Sequence, residues 1–147
     1  MNKKSALALL ALTFGLVACE SSTESSGGFS CDVTRTSSTV KVEERISGVA
    51  SYTSTVTAKI DEYGDDYVNI DTELWYANNS IAREDCESWR DEARSWRDGS
   101  MSVKCSGNYI YIYEYDEGSL NSHERNFEEM CEDGRRRYEN GEFDQYM

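Results

Sequence analysis

The change of hydrophobic period near residue 80 constrains this chain more than any other feature. Before it, apolar residues recur at every second position. Val40, Val42 and Ile46 alternate with Lys41, Glu43 and Arg45, the mark of a strand with one buried face. Phe29 to Arg35 alternates in the same way, with Phe29, Cys31, Val33 and Arg35 on one side. Ser51 to Ile60 is rich in β-branched residues, placing Val56, Ala58 and Ile60 on one face and Thr53, Thr55, Thr57 and Lys59 on the other. Tyr67 to Trp75 turns Val68, Ile70 and Leu74 inward. Short turns separate these segments (Ser37-Ser38, Ser47-Gly48 and the acidic Asp61–Asp66), so antiparallel pairing is expected.

After Ala77-Asn78-Asn79-Ser80 the spacing becomes helical. Ala82, Cys86, Trp89, Ala93 and Trp96 form one apolar stripe. Asn79 or Ser80 is expected to cap this helix, Glu84 and Asp85 to favour its first turn, and Gly99 to end it. Met101, Val103 and Cys105 alternate again, and Ser106-Gly107-Asn108 turns into the strand Tyr109–Tyr115. A second helix starts near Ser119 and turns Leu120, Phe127, Met130, Cys131 and Tyr138 inward, with Gly134 allowing a close approach. Arg135, Arg136 and Arg137 lie near its C-terminal end, where positive charge suits the helix dipole. With no proline in the chain, nothing breaks either helix. The element order is therefore β-β-β-β-α-β-β-α. An α+β domain, with an antiparallel sheet of about six strands and two helices packed on one face, satisfies every apolar stripe.

The N-terminal residues are of another kind. Lys3 and Lys4 precede a short apolar run from Ser5 to Val17, too short to span a membrane, which takes about 20 apolar residues. The run ends in Leu16-Val17-Ala18-Cys19, which resembles the lipobox of bacterial lipoproteins. The resemblance implies a signal peptide over residues 1–18, cleavage before Cys19, and acyl chains on that cysteine that anchor the protein to a membrane. It also implies the bacterial cell envelope, and Glu20 after the cysteine points to the outer membrane rather than the inner. Residues 20–28, ESSTESSGG, read as a flexible tether, leaving residues 29–147 as one domain.

In an oxidising envelope the remaining cysteines, Cys31, Cys86, Cys105 and Cys131, are expected to form two disulfides. No pair has the spacing of a zinc site, and the only histidine is His123. Helix rise and strand rise, each about 20 Å on either side of Gly99, bring Cys86 level with Cys105, and the same geometry levels Cys131 with Cys105. Those levels favour Cys86–Cys105 with Cys31–Cys131. A weak internal repeat, hairpin then helix in each half, favours Cys31–Cys86 with Cys105–Cys131 instead, and the sequence leaves the choice open.

A net charge of −13 argues against nucleic acid and anionic headgroups as partners. The chain lacks GxSxG, HExxH and glycine-rich phosphate motifs, and nothing in it calls for a cofactor. A glycan hydrolase using carboxylates, such as Glu62 with Asp66, is the alternative to a binding protein, but no spacing selects a pair. Asp61, Asp65, Asp66, Asn69 and Asp71 concentrate oxygen ligands without the register of a calcium loop. His123 falls at the edge of a helical stripe and reads as a packed structural histidine. The informative group is Tyr109, Tyr111, Tyr113 and Tyr115, which share one face of a strand whose other face is Ile110 and Ile112. If the isoleucines meet the helices, the four phenols line the open face and form a candidate binding surface for a neutral glycan or a protein.

Overall fold

Sequence alternation and short turns fold the first half into a meander. The computed structural model describes residues 28–96 and 98–147, so the expected signal peptide, Cys19 and most of the expected tether lie outside the described residues. Four strands, β1 (Phe29–Arg35), β2 (Thr39–Ile46), β3 (Ala50–Ile60) and β4 (Asp66–Tyr76), pair in succession, each antiparallel to the last. Helix α1 (Asn79–Ser95) follows, then the hairpin β5 (Met101–Ser106) and β6 (Tyr109–Asp116), then helix α2 (Leu120–Glu139) and a short 3-10 turn (Asp144–Tyr146). The fold is α+β, a six-stranded antiparallel sheet in the order β1-β2-β3-β4-β6-β5 with both helices on one face.

β6 rather than β5 pairs with β4, so β5 runs parallel to β4 with β6 between them. Strands of like direction need a crossover, and α1 supplies it. That puts α1 over the β4-β6-β5 half of the sheet, while α2 covers β1, β2 and β3. Lateral placement thereby decides the disulfides. Cys31 on β1 joins Cys131 on α2, and Cys86 on α1 joins Cys105 on β5. The pairing that the internal repeat favours does not form, because each helix lies over the wrong half of the sheet for it.

Val40, Val42, Val56, Val68, Ile70, Leu74, Ile110, Ile112 and Phe127 form the core. Burying that much apolar surface is the main stabilising term, at roughly 25 cal/mol per Å². Several local expectations need correction. The cap of α1 is Asn78, whose side chain accepts from the backbone N–H of Ser80 and Ile81, so the helix starts one residue after it. Because the helix begins at Asn79, Glu84 and Asp85 both lie beyond its first turn, which holds no acid, and Asp85 is buried. The helix ends at Ser95, short of Gly99, and Ala93 and Trp96 are only half-buried. Ala58 and Ile60 keep the inward phase but are exposed, because β2 pairs with β3 only as far as Thr57 and the β3–β4 hairpin projects beyond it. The cap of α2 is Ser119, as its sequence indicates.

Candidate functional site

The sheet face turned away from the helices carries the tyrosines. β6 sends Ile110, Ile112 and Glu114 inward and Tyr109, Tyr111, Tyr113 and Tyr115 outward. Tyr109, Tyr111 and Tyr113 are 47 %, 44 % and 43 % exposed, while Tyr115 is half-buried against Tyr67, ring centroids 4.8 Å apart. The rings of Tyr109 and Tyr111 lie 6.4 Å apart and 16° from parallel.

Register then supplies their neighbours. On β4, Trp75 faces Tyr109, Glu73 faces Tyr111, Asp71 faces Tyr113 and Asn69 faces Tyr115. On β5, Ser106, Lys104 and Ser102 flank the first three from the other side. Thr53, Thr55 and Thr57 of β3 extend the rows beyond β4. Ring faces therefore sit beside carboxylates, an amide and hydroxyls, which together can stack on and hydrogen-bond a polyol. Tyr67 and Trp75 belong to this surface although only the β6 tyrosines stand out in the sequence. Their signal was the alternation of β4 itself, which gives them the outward phase of Asp71 and Glu73.

The layer between sheet and helices is polar in places. Tyr76 Oη donates to Asp85 Oδ2 at 2.5 Å, and Trp89 Nε1 donates to the same oxygen at 3.2 Å. Burial raises the Asp85 pKa, while these two hydrogen bonds act to lower it. Ser54 and Thr72 share a hydrogen bond at 2.8 Å. Burial pushes Glu114 up to about 7, with Asp116 and Glu92 adding to the effect. It also pushes Glu44 up to about 7, against the pull of Arg137. Glu44 went unnoticed in the sequence because Val40, Val42 and Ile46 define the β2 stripe without it, yet it has the same phase.

His123 is 2 % exposed, its Nε2 lies 3.6 Å from Asp116 Oδ2, and burial holds its pKa below the usual imidazole value. It is enclosed in packing rather than set at a cleft. Asp61 accepts from the backbone N–H of Tyr63 and Asp65, so it closes the β3–β4 hairpin, and Gly64 adopts the positive φ of 87° that the turn requires. Glu62 and Asp66 are both exposed on that hairpin. Among the described residues no cluster of histidine, cysteine or acid could hold a metal ion, and no helix is long and apolar enough to cross a membrane. Comparison with protein-family models, with curated proteins and with solved structures returns no match.

Proposed function

We propose that this chain is a lipid-anchored protein of the bacterial cell envelope that binds a neutral glycan on its helix-free sheet face. The lipobox at residues 16–19 supports the anchor, with the outer membrane as its site. One observation carries the binding reading: a row of exposed tyrosines with carboxylate and amide acceptors in register beside it on β4. Neutral sugars suit this surface because their apolar faces stack on rings while their hydroxyls donate to carboxylates. An acidic polymer would be repelled by the net charge of −13. The reading is non-enzymatic, with hydrolysis of the same polymer as the alternative.

Two experiments test it. Sedimentation with insoluble neutral β-glucans should retain the wild type, and the pair Tyr111→Ser with Tyr113→Ser should abolish retention while leaving the thermal midpoint within a few degrees. A large drop in the midpoint would mean that the tyrosines are structural, and release of reducing ends would favour the hydrolase. For the anchor, intact mass of the mature protein should show acyl chains on Cys19, and Cys19→Ser should leave precursor or soluble protein. An unmodified N-terminus would refute the lipoprotein reading.

A further inference from the structure

The two edges of the sheet differ. β5 is short and carries Lys104 in its interior, and lysine on an edge discourages a further strand. β1, at the other edge, holds neither lysine nor proline, and its pairing with β2 runs without a bulge from Phe29 to Arg35. Among the described residues no strand pairs with its far side. Gly28 O accepts from Ser47 N and Thr36 N donates to Thr39 O, so the even-numbered residues between them bond to β2. The N–H and C=O groups of Phe29, Cys31, Val33 and Arg35 therefore point along the open edge.

Helix α2 stands over that edge. It packs mainly on β1, where Cys131 joins Cys31, and a groove floored by this disulfide and Val33 runs between strand and helix. Arg125, Glu128, Glu132, Arg135 and Glu139 are all exposed and recur at intervals of three and four, so they form a second stripe on α2, distinct from the buried one. All but Arg125 line the groove.

This order of charges complements itself. Turned end for end about Glu132, the stripe sets Arg125 against Glu139 and Glu128 against Arg135, and two-fold symmetry repeats each pair. Glu132, at the centre, has Arg135 and Arg136 of its own helix within one turn. The strand points to the same centre independently. Only the odd-numbered residues of β1 reach across its edge, so a two-fold axis near its middle passes through Cys31, Asp32 or Val33. An axis at Asp32 would set two aspartates face to face, and one at Val33 lies a full strand repeat from the level of Cys131. An axis at Cys31 sets Asp32 opposite Ser30 and Phe29 opposite Val33, and it is level with Cys131, one residue from the centre of the charge stripe. With a second β1 about 4.8 Å from the first, helices seated over these strands come within reach of the roughly 8–10 Å at which helices pack. We propose that two copies of this chain dimerise through β1 and α2, joining their sheets edge to edge with the α2 helices antiparallel. The interface shares no residue with the tyrosine face.

Sedimentation equilibrium of the full chain in detergent tests this. At about 100 µM, well above a micromolar Kd, a dimer is expected. Glu128→Arg should weaken it by about tenfold or more, because symmetry counts the lost contact twice. Adding Arg135→Glu should restore it, a recovery that a folding defect would not show; Arg136 is already held by Asp133 and does not replace Arg135. Val33→Pro removes an N–H that bonds only across the open edge, so it should also give monomer. Hydrogen exchange at Phe29, Cys31 and Val33 should slow as concentration rises, while Ser30 and Asp32, bonded to β2, stay unchanged. A monomer at this concentration, or no restoration by Arg135→Glu, would overturn the proposal. So would a dimer indifferent to Glu128→Arg, the behaviour expected of association through acyl chains alone.

Discussion

The burial of Glu44 and Glu114 makes the stability of this protein depend on pH. Burial raises both carboxyls from about 4.5 to about 7, so folding favours their protonated forms. That stability is fully present below the unfolded value near 4.5 and is lost as pH rises through about 7. His123 acts oppositely: its pKa is lowered, so its contribution is present above the usual 6.5 and lost as pH falls below it. Burial raises Asp85 as well, so three acids against one histidine leave a net fall in stability as pH rises from about 5 to 7.5, on the order of 1 kcal/mol per pH unit. Thermal melts should therefore show a higher midpoint at pH 5 than at pH 7.5. Combining Glu44→Gln with Glu114→Gln should make the profile shallower, leaving the part due to Asp85, and an unchanged slope would show that Asp85 or overall charge repulsion, not these two residues, sets it. Glu44 was legible from its phase in β2 but not as a buried acid, because nothing in a β-strand pattern announces which polar residue the opposing helix will cover.

At the scale of elements, strand and helix spans follow from local spacing, and the boundaries that moved did so through hydrogen bonding. The side chain of Asn78, not Asn79 or Ser80, reaches the backbone N–H of Ser80 and Ile81. Asn78→Ala should destabilise by about 1 kcal/mol in denaturant unfolding, whereas Asn79→Ala should change little. An equal loss from both would place the cap where the sequence pattern suggested. Ile60 illustrates the opposite failure. Its phase in β3 is inward, but it is 69 % exposed because β2 does not extend along the hairpin tip. Phase is a property of one strand, whereas cover depends on the length of its neighbours.

Across the whole molecule, the two disulfides staple different spans. Cys31–Cys131 closes 100 residues and Cys86–Cys105 closes 19, so the first removes more unfolded-state entropy, roughly 4.7 against 3 kcal/mol in the loop-closure account. Cys31→Ala with Cys131→Ala should lower the midpoint of thermal unfolding more than Cys86→Ala with Cys105→Ala, and the reverse order would show that local packing outweighs loop length. Element order, the antiparallel meander, the two helices on one face and the sharing of one strand face by Tyr109, Tyr111, Tyr113 and Tyr115 were determined by the sequence alone. Each rests on a period of 2 or 3.6 that a few consecutive residues already express. Insertion of β6 between β4 and β5, the half of the sheet each helix covers, the turning of the four tyrosines away from the helices, the disulfide partners and the meeting of Glu44 with Arg137 were decided only in the tertiary structure. Those depend on the lateral order of elements far apart in the chain, and the spacing of residues within one element carries no record of which neighbour will lie beside it.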